Sequence, residues 1–123
     1  MILVDTSVWV DHLRRGNEKL SGLLNAGQVL THRFAIGELA LGNLQNRDSV
    51  LSALQNLPQA TEASDEEVLH FIALHVLSGS GIGYIDAHLL AAVQLSHGAL
   101  LWTRDKRLLA ESARLGLNAN LAH

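Results

Sequence analysis

Four acidic side chains stand at positions where a parallel sheet would gather them at one edge. Asp5 and Asp105 each follow a short apolar segment with strand character, and the carboxyl ends of parallel strands meet at the same edge of a sheet. Glu38 lies in the first turns of a predicted helix that follows a second strand, and Asp86 lies at the start of another helix. The spacing therefore predicts that one edge of the domain collects all four carboxylates.

Such a cluster of carboxylates needs a counter-charge. Two unit charges about 4 Å apart repel by about 4 kcal/mol at an effective dielectric constant of about 20, so a cation or bound protons must accompany them. Oxygen-only ligands favour hard divalent ions, and Mg²⁺ or Mn²⁺ held by a few carboxylates with retained water suits phosphate substrates. Because such ions polarise phosphoryl oxygens and lower the pKa of bound water, the cluster predicts phosphodiester hydrolysis.

Two hydroxyl side chains next to the acids fit a supporting role. The hydroxyls of Thr6 and Thr103 can hydrogen-bond a carboxylate or a metal-bound water and so fix its orientation. A structural interpretation stays open beside this one, because an Asp or Thr after a strand often serves only to cap the next helix. The hypothesis of a metal site therefore depends on the set of residues rather than on any one of them.

The elements that must position these residues alternate along the chain. Strands are predicted at 1–4, 28–31, 60–63 and 99–103, with 117–121 as a last edge strand, and helical segments fill most of the intervals. Residues 64–67 form a capping-box pattern that opens a helix. The glycine-rich stretch 79–83 is interpreted as a flexible connector, because it lacks the ending of a phosphate loop. The alternation predicts an α/β protein with a three-layer α/β/α fold and a central parallel sheet of four to five strands.

Composition narrows the choice of protein class. The chain has 123 residues, 48% hydrophobic and 17% charged, which predicts a single globular domain over 1–123. No apolar run reaches the roughly 18 residues of a membrane-spanning helix, so a soluble cytoplasmic protein is expected. The absence of cysteine excludes disulfides and thiolate zinc sites. The formal charge of −3 argues against broad nucleic-acid binding but leaves room for a local basic rim.

The acids lie in four segments whose order and spacing resemble a PIN domain, and most closely the VapC toxins of VapBC toxin–antitoxin modules. These segments are 2–7 (ILVDTS), 37–39 (GEL), 84–92 (YIDAHLLAA) and 101–105 (LWTRD). The resemblance covers nearly the whole chain and implies a metal-dependent endoribonuclease acting on structured RNA such as tRNA or rRNA. It implies that four acids bind Mg²⁺ or Mn²⁺ and activate the attacking water, namely Asp5, Glu38, Asp86 and Asp105. It also implies that Thr6 and Thr103 support these acids.

The resemblance also implies partners. A cognate VapB-type antitoxin would cover the acidic cleft, and the toxin would form a homodimer. The leucine-rich region 20–57 is the expected antitoxin surface, because helix-in-groove binding uses apolar helical surfaces, although the same leucines also fit a core. RNA phosphates would meet a basic rim, with a solvated helix face as the alternative interpretation, formed by Arg104, Lys106 and Arg107 and extended by Arg14 and Arg15.

Other functions and other site residues compete with this interpretation. A metal nuclease acting on DNA would use the same acids, although the small chain leaves no arch for threading DNA. A catalytically inactive PIN-like binding module would use the acids only as caps. An aspartyl phosphate at Asp5 is disfavoured, because the Asp-x-Asp pattern of such phosphatases is absent. The histidines lack an i, i+4 metal-binding pair, His88 is expected to pack, and Trp9 and Trp102 are expected in the core.

Overall fold

The structure is a computed structural model that describes residues 1–122 of the chain. Strands and helices alternate in the described part, as predicted. The strands are β1 (Ile2–Val4), β2 (Val29–Leu30) and β3 (Leu100–Trp102). The helices are α1 (Thr6–Arg15), α2 (Glu18–Asn25), α3 (Arg33–Ala40), α4 (Arg47–Gln55), α5 (Asp65–Leu74), α6 (Tyr84–Leu95) and α7 (Lys106–Arg114). No helix within residues 1–122 is both long and apolar enough to cross a membrane.

The three strands form one parallel sheet in the order β2-β1-β3. Leu3 of β1 pairs with Leu30 on one side and with Leu101 on the other. Because all three strands run in the same direction, the residues that follow them meet at one edge of the sheet. Asp5 follows the central strand and Thr103 follows β3, so the sheet brings the two residues side by side.

The expectation of four to five strands is wrong, because residues 1–122 form only three strands. The predicted strand 117–121 adds a single bridge, Leu101 with Asn118, and the predicted strand 60–63 adds none, since the one bridge nearby joins Thr31 to Gln59 just before it. The segment 60–63 leaves the sheet because the Thr61 N–H donates to Ser96 Oγ instead of to a neighbouring strand. In the segment 117–121, Asn120 adopts a left-handed φ of 57°, which an extended strand excludes.

Side chains alternate between the two faces of the sheet and so build two separate cores. Leu3 and Leu101 pack with α5, α6 and α7, whereas Val4 and Trp102 pack with α1, α2, α3 and α4. Successive residues of a strand point to opposite faces, so each three-residue strand contributes to both cores. The three-layer α/β/α arrangement is therefore confirmed, and Trp9 and Trp102 lie in the core as expected.

Helix α5 begins at the capping box that its sequence indicates but ends earlier than its sequence predicts. Ser64 Oγ accepts the Glu67 N–H at 3.1 Å and Glu67 Oε1 accepts the Ser64 N–H at 2.9 Å, which confirms the capping box. The helix ends at Leu74 rather than at residue 77, since Val76 adopts a φ of 53°. Gly79 and Gly81 also have positive φ values, consistent with a connector at 79–83.

We expect Leu101→Ala to lower the free energy of unfolding by about 2–5 kcal/mol, because it removes a fully buried side chain from the core between the sheet and its helices. Urea denaturation followed by circular dichroism measures the change. Leu69→Ala, at a position of α5 that is 61% exposed, is the control and should change stability by less than about 0.5 kcal/mol. Equal losses in the two variants would contradict the assignment of Leu101 to the core.

Candidate active site

Asp5 is a buried carboxylate at the carboxyl end of the central strand. Its backbone occupies the N-cap position of α1, yet its side chain makes no capping hydrogen bond. Instead, Asp5 Oδ2 accepts hydrogen bonds from Ser7 Oγ at 2.7 Å and from Thr103 Oγ1 at 2.8 Å. The helix-capping interpretation is therefore wrong for Asp5, and hydroxyl groups from two elements fix the orientation of its carboxylate.

Thr103 and Ser7 connect Asp5 to the segment after β3. Thr103 is buried, and its Oγ1 accepts the Asp105 N–H at 3.0 Å while donating to Asp5. Ser7 Oγ accepts the Arg104 N–H at 2.9 Å and lies 3.4 Å from Thr103 Oγ1. The sequence patterns had singled out Thr103 but not Ser7, whose one available signal was a second hydroxyl directly after Asp5-Thr6.

Thr6 joins the acid of α3 to the start of α1. Thr6 Oγ1 donates a hydrogen bond to Glu38 Oε1 at 3.0 Å, across 32 positions of the chain. Glu38 is exposed and lies in the second turn of α3, so this hydroxyl fixes an otherwise mobile side chain near Asp5. The hydroxyl of Thr6 therefore contacts a carboxylate, as the supporting interpretation requires.

Asp86 and Asp105 do cap their helices, each with one carboxylate oxygen. Asp86 Oδ2 accepts the Gly83 N–H at 3.1 Å, and Asp105 Oδ1 accepts the Leu108 N–H at 2.9 Å. Within residues 1–122 the second oxygen of each side chain has no hydrogen-bond donor. A capping bond fixes the direction of each carboxylate while leaving that oxygen available to a ligand, so capping and ligand binding are compatible here.

The four acids share one electrostatic environment. Burial raises the pKa of Asp86 most, and the negative charges of Asp5, Asp105 and Glu38 raise it further, against a lowering by the Gly83 hydrogen bond. Like charges raise the pKa of a carboxyl only when they lie near it. Asp5, Asp105 and Glu38 therefore lie within electrostatic reach of Asp86.

The chemistry of the acidic cluster suits a hard divalent cation, but the spacing of the acids limits how many of them can bind one ion directly. The donors are all carboxylate and hydroxyl oxygens, and the pKa of Asp86 is raised first by burial and then by neighbouring negative charges, both of which a bound cation would offset. In residues 1–122, however, no three His, Cys, Asp or Glu side chains stand close enough to hold one ion together. Mg²⁺ commonly binds through one or two carboxylates and keeps several waters, so this spacing accommodates it.

Three of the five predicted rim residues meet beside the acids. Arg14, Arg15 and Arg104 line one surface pocket together with Ser7, whereas neither Lys106 nor Arg107 contributes to it. Arg107 instead turns toward Gly81, with Nη1 at 3.5 Å from the Gly81 carbonyl oxygen. The basic rim is therefore built mainly from α1 rather than from α7.

His88 packs, as expected, on a face of α6 other than that of Asp86. It is buried, with its Nε2 3.1 Å from Asp65 Oδ1 and its ring against those of Phe34 and Tyr84. The Tyr84 hydroxyl donates to the same Asp65 oxygen at 2.9 Å. This cluster joins the first turns of α6 to α5 and thereby supports the element that carries Asp86.

The fold and this acidic edge agree with a known class of protein. The PIN domain family matches residues 2–114, and the chain therefore belongs to the PIN-domain family. Ribonuclease VapC32 of Mycobacterium tuberculosis, in strains CDC 1551 and H37Rv, is 48% identical over 117 residues, covering 95% of this chain and 94% of that protein. The resemblance to VapC proteins seen in the sequence is thus confirmed.

Two solved structures share the fold at low sequence identity. FitAcB from Neisseria gonorrhoeae has a TM-score of 0.58 and 21% identity, covering 92% of this chain and 94% of that chain. PAE2754 from Pyrobaculum aerophilum has a TM-score of 0.58 and 19% identity, covering 94% of this chain and 88% of that chain. Both likenesses concern the fold alone.

We expect Thr103→Val to destabilise the protein by about 1–3 kcal/mol, because it leaves the buried Asp5 carboxylate and the Asp105 N–H each short of one hydrogen bond. Thr103→Ser retains the hydroxyl and is the matched control. Thermal unfolding of the three proteins measures the difference. A valine variant as stable as the serine variant would mean that the hydroxyl contributes nothing to holding Asp5.

We expect Asp86→Asn to raise the melting temperature in metal-free buffer at neutral pH. A carboxyl whose pKa is raised by folding favours the folded state in acid and disfavours it once ionised, so the gain should shrink as the pH falls. The asparagine carbonyl can still accept the Gly83 N–H. Melting curves of wild type and variant across the acidic range, with chelator, measure the effect; a lower melting temperature throughout would refute it.

Proposed function

We propose that this chain is a metal-dependent endoribonuclease toxin that cleaves structured RNA, such as tRNA or rRNA, in the cytoplasm. One observation carries the proposal: a buried Asp5 carboxylate, fixed by two hydroxyls at the carboxyl edge of the sheet, lies with Glu38 and Asp105 near enough to Asp86 for their charges to act on it. The 48% identity to Ribonuclease VapC32 supports RNA as the substrate. One PIN domain over 1–123 carries the whole activity.

The acids are proposed to hold Mg²⁺ or Mn²⁺, with Asp5 and Asp86 as the main ligands and Glu38 and Asp105 completing the site directly or through water. A bound ion of this kind supplies Lewis acidity toward a phosphoryl oxygen and lowers the pKa of a water ligand. Asp5 is suited to ligation because two hydroxyls already fix its carboxylate. Asp86 is suited because the neighbouring negative charges destabilise its ionised form in the absence of a cation.

The hydroxyl groups keep these carboxylates in place for the reaction. Thr103 and Ser7 hold Asp5, and Thr6 holds Glu38, so three hydroxyl groups orient two acids. Orienting groups of this kind typically change metal affinity or activity by about 10- to 100-fold when they are removed. We therefore assign Thr6 and Thr103 as positioning residues, and we add Ser7 to them.

The alternatives are less well supported by the site. A binding module that used its acids only as caps would have Asp5 cap α1, and Asp5 makes no such bond. A DNA-directed nuclease would use the same cluster, but the relative with 48% identity is a ribonuclease by name. The preference for RNA over DNA rests on that relative alone.

A VapB-type antitoxin is the proposed protein partner, and a homodimer is the proposed assembly. In the region 20–57 most leucines belong to the core, including Leu20, Leu39 and Leu54, so they do not form a docking surface. What the region offers at the surface is a groove between α3 and α4, lined by Gly37 and Ala40 and by the outer edge of the core at Ile36 and Leu51, among others. We place the antitoxin helix there, where an apolar helical face would fit.

We expect the purified chain to cleave tRNA or rRNA with Mg²⁺ or Mn²⁺ and to lose that activity in chelator. Asp5→Asn and Asp86→Asn should each lower the cleavage rate by about 100-fold or more, equivalent to about 2.7 kcal/mol of barrier. Asp48→Asn, which removes an exposed acid of α4, is the control and should cleave normally. Gel separation of end-labelled RNA gives the rates.

The same variants separate loss of metal from loss of RNA binding. Mn²⁺ should raise the melting temperature of wild type and of Asp48→Asn more than that of Asp86→Asn, because an ion that binds only the folded state stabilises it. Equal cleavage by wild type and Asp86→Asn, together with equal stabilisation by Mn²⁺, would exclude the acidic edge as the active site.

A further inference from the structure

One face of α1 carries a basic pocket next to the acids. Ser7, Asp11, Arg14 and Arg15 recur at helical spacing on this face, and Arg104 from the segment after β3 closes the pocket. We call this the arginine pocket; it has a volume of about 350 Å³. The helix thus begins beside the acids and carries positive charge along the same face.

Asp11 organises the arginines of this pocket. A single oxygen, Asp11 Oδ1, accepts a hydrogen bond from Arg15 Nε at 2.7 Å and forms an ion pair with Arg104 Nη1 at 2.8 Å. The Asp11 side chain is only 10% exposed, whereas that of Arg15 is 72% exposed. The hydrogen bond from Arg15 holds the pKa of Asp11 below its ordinary value, so the carboxylate stays ionised.

The charges in the pocket do not balance. Two guanidinium groups share one carboxylate, and Arg14 has no ion pair within residues 1–122. Three positive charges against one negative charge leave a local excess in a chain whose formal net charge is −3. An anion is therefore the complementary ligand, and guanidinium groups match the geometry of phosphate oxygens better than a point charge does.

The arginine pocket is physically continuous with the acidic edge. The backbone N–H of Arg104 donates to Ser7 Oγ, and Ser7 Oγ donates to Asp5 Oδ2. The Ser7 side chain alone therefore separates Arg104 from the buried acid. Arg14 also lines a second pocket that includes Glu38. A polyanion seated on the arginines would therefore extend directly over the acids.

We propose that the arginine pocket is a subsite for an RNA phosphate flanking the scissile bond, and that Asp11 is the positioning residue that holds Arg15 and Arg104 around it. The inference rests on the proposed ribonuclease function and adds to it the place where the substrate backbone binds. Because phosphate contacts carry no base information, this subsite contributes affinity and register rather than sequence preference.

Binding can be measured apart from cleavage in the Asp86→Asn background, with a fluorescein-labelled, single-stranded RNA of mixed sequence and constant Mg²⁺. In that background, Arg104→Gln and Arg14→Gln should each weaken binding about tenfold. Each should also lower the slope of log affinity against log salt by about 0.7, the contribution of one phosphate contact on a single strand. Arg114→Gln removes an equal charge at the far end of α7 and should leave the slope unchanged.

Asp11→Asn separates positioning from simple charge. If Asp11 acted only through its charge, its removal would tighten RNA binding, because one repelling carboxylate is lost. If Asp11 positions the arginines, its removal weakens binding, and we expect this result. In the cleavage assay with active protein, Asp11→Asn and Arg104→Gln should raise KM while changing kcat little, the pattern of a contact made equally in ground and transition states.

The possible outcomes distinguish a failure of the proposed phosphate subsite from a failure of the proposed nuclease activity. Metal-dependent cleavage by wild type, with salt slopes and KM unchanged in Arg14→Gln and Arg104→Gln, would overturn the subsite and leave the nuclease standing. Tighter RNA binding by Asp11→Asn would overturn the positioning assignment. An absence of both cleavage by wild type and RNA binding by Asp86→Asn would overturn the nuclease and the subsite together. Thermal melting of each variant shows that the protein compared is folded.

Discussion

A buried carboxylate that does not cap its own helix is the feature on which the rest of this molecule depends. Burying Asp5 away from water is unfavourable unless its oxygens find hydrogen-bond donors. The donors come from Ser7 of α1 and from Thr103 at the end of β3, so the acid requires α1 and β3 to stand side by side. The Asp5 N–H donates to the Trp102 carbonyl oxygen at 2.9 Å and extends the same strand pairing into the site.

The acidic edge works against the stability of the fold that holds it. Asp86 is half-buried beside three other acids, and its raised pKa is the physical sign of that conflict. Two cores, one on each face of the sheet, supply the burial that keeps the edge together. Such destabilised sites are common where a ligand later provides the missing interaction, since function and stability are then selected against each other.

Helix α1, which follows β1, carries both the negative and the positive charge that an enzyme acting on phosphodiesters needs. One acid, Asp5, occupies the N-cap position of α1, and Arg14 and Arg15 lie in its last turn, which agrees with the direction of the helix dipole. Asp11 stands between these ends and ties the basic side chains to Arg104. The proposed phosphate subsite therefore lies on the helix that begins directly after Asp5.

Much of the fold was predictable because its signals are local. Hydrophobic periodicity, the Ser64 capping box and the glycine punctuation identified every helix and all three strands of the described chain, with ends shifted by a few residues. The strand count was overestimated, since the segments 60–63 and 117–121 were predicted to extend the sheet but contribute no bridge and one bridge, respectively. A short segment extends a sheet only if its backbone N–H groups pair with a neighbouring strand. The group that accepts the Thr61 N–H instead, Ser96 Oγ, is distant in sequence.

The acids of the candidate site were identified by their order and spacing, as was the PIN-domain family to which the chain belongs. Their environments were decided only by the tertiary structure. Asp5 is held by hydroxyls while Asp105 caps a helix, although both follow a short strand, and Asp86 caps α6 from within its first turn. Ser7 and Asp11 escaped notice because their roles arise from contacts with Thr103 and Arg104, about 90 or more positions away along the chain. Sequence patterns report which groups are present, whereas burial and long-range hydrogen bonding decide what each group can do.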